Sequence, residues 1–146
     1  MPAPYLLPDL IYGKLSAASI EEPVGGKAVA ILHVADLAGV REDAQKTPAL
    51  QIIPYGISIN DPYDAGNVVL RESVIVLAVT RFPNQRGGER ERQLAGLILR
   101  DAALALIGWQ PSESYTPLVA ETPPLAQHTA SFGYYPLIFS SIYQVT

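Results

Sequence analysis

Residues 68 to 82, VVLRESVIVLAVTRF, constrain the fold more than any other stretch, because the predicted strand is apolar on both faces. In its second half, the residues that point to one face and those that point to the other are all aliphatic: Val74, Val76 and Ala78 on one face, and Ile75, Leu77 and Val79 on the other. A strand of this kind lies inside a sheet and is covered on both sides. The sequence therefore predicts a central strand with packed layers above and below it.

Further segments have the β-branched composition of strands. They are residues 49 to 59, ALQIIPYGISI, and residues 134 to 146, YYPLIFSSIYQVT. Pro54 marks a bulge, an edge or the end of pairing, because proline has no N–H to donate. KAVAILHVADL, residues 27 to 37, suits a buried strand, although its alanines leave a helix possible. A short strand is also expected near residues 118 to 120.

Apolar residues spaced three and four apart predict two helices. The first covers residues 5 to 20, with Pro8 tolerated in its first turn. The second runs from about Gly88 to Ile107, and Gly108 after it is able to take the positive φ of a helix exit. Two main helices, three to five strands and no alternation of strand and helix predict one α+β domain over residues 1 to 146, with a mostly antiparallel sheet.

The second helix combines a charged start with an apolar end. Its segment, RGGERERQLAGLILRDAALALIGWQP, begins with Arg86, Arg90 and Arg92, and past Arg100 only Asp101 is charged. The apolar surface of the last turns exceeds what one contact covers. The excess forms a flank that is expected to meet either the first helix or a neighbouring subunit: Ala95, Leu99, Ala103 and Ile107.

The composition limits the classes of function. Charged residues make up only 16% of the chain, against about 25% in typical soluble domains, which favours an oligomer. A net charge of -4 argues against a protein that covers phosphates with a broad basic face. The absence of cysteine excludes disulfides, thiolate metal sites and cysteine nucleophiles. No basic leader or long apolar run is present, which predicts a soluble protein made in a cytoplasm.

The two histidines are the obvious candidates for catalysis or metal binding. His33 lies within the apolar run AILHVAD, where a lone histidine more often packs with one hydrogen bond than binds a metal. His128 lies in a proline-rich loop, without a nucleophile elbow, a histidine pair or an acidic cluster to orient it. We therefore expect no catalytic, metal or cofactor site.

The order of these features resembles that of the tail terminator, or tail-completion, proteins of long-tailed bacteriophages. An amphipathic first helix is followed by TPALQII and by the central strand SVIVLAVTRF. An Arg/Glu loop, an Ala- and Leu-rich helix that ends in LIGWQP, and the aromatic closing strand YYPLIFSSIYQV come next. The resemblance is closest over residues 48 to 146.

This resemblance implies a structural virion protein without enzymatic activity or cofactors. Such terminators form rings, usually hexamers, that cap the head-proximal end of the tail tube, stop its polymerisation and join the head connector. The partners would be further copies of the chain, the tube protein, a connector or neck protein, and DNA passing through the lumen without sequence-specific binding. The protein would assemble in the host cytoplasm and remain in the virion tail, with no membrane involved.

The resemblance also assigns expected roles to particular residues. Because DNA would pass through the ring, the basic side chains of Arg81, Arg86, Arg90 and Arg92 are expected to face a lumen or a junction, or else to be solvated in a turn. A subunit interface would bury Leu99, Ala103, Ile107 and Trp109. The proline-rich segments 48 to 67 and 111 to 132 are long enough to dock onto partners.

Three alternatives stay open on the sequence alone. The first is another neck, head–tail joining or minor tail protein. A small ligand-binding or enzymatic domain that uses His33 or His128 is a rival of another class, and it lacks an acid–base constellation. A nucleic-acid-binding module built on the arginines of residues 81 to 100 is weakened by Glu89 and Glu91 among them.

Overall fold

A computed structural model describes residues 2–22, 26–33, 40–60, 66–81 and 89–145. Within these ranges the chain forms two helices, six strands and one 3-10 turn at Glu42–Ala44. In chain order the helices and strands are α1 Leu7–Ala17, β1 Ala30–His33, β2 Ala49–Ile59, β3 Val68–Arg81, α2 Glu89–Leu106, β4 Val119–Glu121, β5 Gln127–His128 and β6 Phe132–Val145.

The strands form one sheet in the order β1-β2-β3-β6-β4, with β5 also paired to β6. The β1–β2 pair is parallel and the other described pairs are antiparallel. The α+β class with a mostly antiparallel sheet is confirmed. The described sheet has one strand more than the predicted range, because two-residue β5 is too short to have a pattern. As predicted, β3 is central, and it pairs with β6 along all 14 of its residues.

β2 contains a bulge at its proline. The register with β3 shifts between Pro54 and Gly56, which confirms a bulge among the three outcomes predicted for Pro54. The strand then continues to Ile59. Residues 49 to 59 of the expected docking loop 48 to 67 therefore belong to the sheet, so the prediction of a loop is wrong over these residues.

Both helices pack on the same face of the sheet, which we call the inner face. α1 contacts β1, β2 and β3, whereas α2 contacts β3, β6 and α1. From Leu70 onward the inner-face positions of β3 are buried, among them Leu70, Glu72, Val74, Val76 and Ala78. They join one core cluster with helix residues that include Leu7, Ile11, Leu15, Ala95, Ile98, Ala102 and Leu106. Burial of this apolar surface provides the main stabilisation of the domain.

The opposite face, the outer face, is only partly covered. At one end Val79 and Phe132 are buried, and Gln45 donates a hydrogen bond to the Tyr134 hydroxyl at 2.9 Å. Further along, Ile75 and Leu77 remain half-exposed. The prediction that β3 is covered on both sides is therefore wrong, because neither helix of the described chain lies on the outer face.

The strand predicted within residues 27 to 37 is present as β1, and residues 34 to 37 lie outside the described part. It is an edge strand whose residues are all half-buried, so the expectation of a buried strand is wrong. The helix exit is as predicted, since Gly108 has a φ of 78°. Its N–H donates to the Leu118 carbonyl at 2.9 Å, which connects the end of α2 to the segment before β4.

Candidate functional site

The two histidines lie at opposite edges of the sheet. His33 ends β1, where its Nε2 lies 3.4 Å from Asp9 Oδ1 and its ring stacks on Tyr12 at 4.2 Å between centroids. His128 belongs to β5, and its Nε2 lies 3.0 Å from the Tyr135 hydroxyl. The described residues hold no group of three His, Cys, Asp or Glu side chains suited to a metal. The structure therefore does not bring the two candidate histidines into one site.

A buried carboxylate lies under the helices instead. Glu72 is 2% exposed, and its Oε1 accepts hydrogen bonds from the Tyr143 hydroxyl at 2.6 Å and the Tyr5 N–H at 3.2 Å. Its Oε2 and the Tyr115 hydroxyl have no hydrogen-bond partner within the described chain. Burial, followed by the nearby Glu72 charge, raises the pKa of Tyr115 to about 12. This cluster connects the N-terminal segment to the sheet.

One half of the outer face is polar and internally paired. Arg71 Nη1 lies 2.7 Å from Glu121 Oε1, which also accepts a hydrogen bond from Ser140 Oγ at 2.9 Å. The hydrogen bond from Arg71 is the main cause that lowers the pKa of Glu121. These contacts connect β4 to β3 and β6, so the charges here are satisfied within the chain.

The other half of the outer face is an apolar groove of about 350 Å³. The outer groove, as we call it, is lined by Ile53, Ile75, Leu77, Leu125, Tyr134 and Pro136 among others. Leu125 overhangs it and is 89% exposed. This groove was not predicted from the sequence, because the alternation of apolar residues does not show which face of β3 the helices leave open.

Three of the four predicted arginines lie toward one end of the sheet. Arg81 ends β3, and its guanidinium carbon lies 5.7 Å from the centroid of the Phe132 ring. Arg90 and Arg92 are exposed in the first turns of α2. Arg86 lies outside the described residues. Arg81, Arg90 and Arg92 thus remain candidates for a lumen or junction.

The predicted apolar flank of α2 is divided between core and surface. Ala95 is fully buried, which corrects its place on the flank: the buried face of α2 is centred on Ala95, Ile98, Ala102 and Leu106. Leu99, Ala103 and Trp109 are half-buried and pack against the core. Ile107 is 56% exposed, and Leu104, which sequence analysis did not single out, is 77% exposed. Helical periodicity places Leu104 opposite Ala95, so that signal was available.

Trp109 is covered by the first helix. The Lys14 Nζ lies 5.5 Å from the centroid of its ring, a cation–π distance. The first helix therefore accounts for part of the excess apolar surface of α2. Leu104 and Ile107 remain on the surface without such cover.

The described fold thus has exposed apolar surface on both sides of the sheet. Residues 9–146, nearly the whole chain, match the sequence model of a protein family, the phage tail terminator proteins. The chain belongs to this family. The resemblance inferred from its motifs is confirmed, and no curated protein matches the chain. No described helix is long and apolar enough to span a membrane.

Membership identifies a structural protein of the phage tail. A protein of this class acts through contacts with other tail and head components, so its functional sites are surfaces. The outer groove, the exposed apolar residues of α2 and the arginine-bearing end of the sheet are the candidate surfaces.

Proposed function

We propose that the protein forms a ring, of six copies as its family resemblance implies, at the head-proximal end of the phage tail tube. One side of the ring binds the last layer of tube subunits. The other side lacks the surface that a further tube subunit would need, and it binds the head connector. Tube polymerisation stops for this reason, and the finished tail joins the head.

The half-open sheet is the observation that carries the proposal. Packed domains bury the apolar faces of their sheets, yet the outer groove remains accessible and Leu104 projects from the other side of the domain. Exposed apolar surface on two sides is typical of a subunit with two neighbours. The low share of charged residues, 16%, supports the same conclusion.

The arginines have a place in this arrangement. DNA leaves the head through the tail, so the lumen of the ring faces a polyanion. Arg81, Arg90 and Arg92 at one end of the sheet would line the lumen or the connector junction. Glu89 and Glu91 between them complement the positive N-terminal end of α2 and limit tight DNA binding. Contact with DNA is therefore not sequence-specific.

Tail length is the decisive measurement. A phage that lacks this gene should make tails longer than normal that fail to join heads, and the purified protein should restore both when added during assembly. Light scattering should show a ring-sized oligomer, either free or formed on tail tubes. A protein that stays monomeric and leaves tube length unaltered would overturn the proposal. Joining failure at normal tail length would indicate another neck protein.

A further inference from the structure

Two unlike exposed surfaces lie on opposite sides of the domain. The first, the helix stripe, consists of exposed residues of α2 and of Ile107 directly after it, which point away from the sheet: Gln93, Gly96, Arg100, Leu104 and Ile107. The second is the outer groove. We propose that the helix stripe of one copy packs into the outer groove of the next copy around the ring. This interface rests on the ring proposed above.

The two-layer architecture supports a head-to-tail contact between copies. A closed ring needs a heterologous interface, in which each copy presents two different surfaces to its two neighbours. The helix layer lies on one side of the sheet and the groove on the other. When successive copies stack in this way, α2 of each neighbour supplies the second layer that the sheet lacks in the single chain.

The two surfaces agree in size. The groove crosses the neighbouring strands β2, β3 and β6. Because neighbouring strands are about 4.8 Å apart, the axes of β2 and β6 lie about 10 Å apart. An α-helix with its side chains has a diameter of about 10 Å. One helix therefore covers the three strands.

The two surfaces also agree in charge. The residues that line the groove are all uncharged, and Tyr134 and Gln127 are the polar side chains among them. Past Asp101, α2 has no charged residue, and Arg100 Nη2 lies 3.3 Å from Asp101 Oδ1. The apolar end of the stripe, Leu104 and Ile107, can therefore enter the groove without burying an unpaired charge.

Gly96 provides an independent observation. It lies within α2, where glycine is a poor helix former. A Cβ added at Gly96 would meet no neighbouring atom of the described residues within 4 Å, so the described fold of the single copy does not require a glycine there. The absent side chain keeps the surface low beside Arg100 and Leu104, which lie along the same i, i+4 row. A neighbouring copy can approach closely at this point.

Cysteine cross-linking tests the interface directly, because the chain has no cysteine of its own. Leu104→Cys lies on the stripe and Leu125→Cys on the groove, on opposite sides of one copy. With a short bismaleimide, the double variant should form a covalent ladder up to the ring size. A mixture of the two single variants should form cross-linked dimers, whereas either single variant alone should form none.

Substitution of two matched glycines tests the same contact without a cross-linking reagent. Gly96→Leu should leave the unfolding temperature of the monomer unchanged or higher, and should weaken assembly at least tenfold. Gly13→Leu is the control, because Gly13 is an exposed glycine of α1 where an added Cβ would likewise meet no atom within 4 Å. The Gly13→Leu protein should assemble normally.

Each outcome decides the question. Dimers from one single variant alone would show a like-to-like contact and overturn the proposal. A ring-forming double variant that yields no ladder, or a Gly96→Leu protein that assembles as well as Gly13→Leu, would also overturn it while leaving the ring intact. If the unmodified protein forms no ring alone or on tail tubes, the proposed function fails together with this interface.

Discussion

The inner and outer faces of the sheet are built from the same strands but have different surroundings. On β2, Ile52 points to the inner face and is fully buried, whereas the next residue, Ile53, lines the half-open outer groove. The strand pattern treats both positions alike. The difference indicates that inner-face residues such as Ile52 stabilise the single chain, whereas Ile53 and the other residues of the outer groove leave apolar surface accessible.

The largest expected effect comes from this isoleucine pair. Ile52→Ala should lower the free energy of unfolding by about 2–5 kcal/mol, since it leaves a cavity in the core. Ile53→Ala should cost the monomer less than about 1 kcal/mol, because water already reaches the site, and it should weaken assembly instead. Urea unfolding at low protein concentration measures the first effect, and light scattering measures the second. Equal losses of stability would contradict the distinction between the faces.

The next effect concerns two tyrosines of the inner face. Tyr143→Phe removes the hydroxyl that donates to Glu72 and leaves the buried carboxylate with one fewer partner. We expect a loss of about 1–3 kcal/mol. Tyr115→Phe removes a buried hydroxyl that has no partner within the described chain, so it should be neutral or slightly stabilising. Chemical unfolding of both variants compares them, and a larger cost for Tyr115→Phe would show that its hydroxyl has a partner.

These tyrosines and their glutamate show where sequence reasoning reaches its limit. The alternation of β3, the two helices and the closing strand were predictable, since each has a local period. Glu72 lies in the same strand, and its charged side chain would be expected on the surface. Its burial depends on the hydroxyl of Tyr143, 71 residues away along the chain, and on the backbone of Tyr5. A contact of that separation leaves no local pattern.

The candidate surfaces were only partly predictable for a related reason. Periodicity placed apolar excess on α2, and Ile107 is indeed exposed. The side of the sheet on which both helices pack is decided by how the chain crosses it, so the outer groove was not visible in the sequence. Leu125 belongs to a proline-rich loop without any period, and its position over the groove depends on the short pairings of β4 and β5 with β6.

A smaller effect on stability is expected only at alkaline pH, and it should differ between Tyr115 and a tyrosine of the outer face. The folded state raises the pKa of Tyr115 from an ordinary value of about 10 to about 12, so it keeps its proton where the unfolded chain has lost it. The contribution of Tyr115 to the free energy of unfolding should therefore be fully present below pH 10. It should fall by on the order of 1–2 kcal/mol as the pH rises to 12. Unfolding at several alkaline pH values measures this loss, and Tyr115→Phe should reduce it.

Tyr134 provides the outer-face control for that experiment. Burial also raises its pKa, but a hydrogen bond from Gln45 opposes the shift. Tyr134→Phe should therefore change the alkaline dependence of stability less than Tyr115→Phe does. Ultraviolet difference spectra of tyrosinate would identify which phenol ionises first. An equal or greater change from Tyr134→Phe would mean that the two faces do not differ in their access to water.

The smallest effect on stability is expected at the start of α2, where exposed side chains belong neither to the core of the inner face nor to the outer groove. Arg90 is exposed, and reversal of its charge together with that of Arg86 should change the free energy of unfolding by no more than about 0.5 kcal/mol. If these arginines line the lumen or the connector junction, the double reversal should nevertheless reduce infectious yield, because negative charge would then face DNA or the connector. Lys46→Glu, an exposed reversal outside α2, is the control and should leave the yield unchanged. A normal yield from the arginine variant would remove these side chains from the junction and leave the outer groove and the helix stripe as the candidate surfaces for assembly.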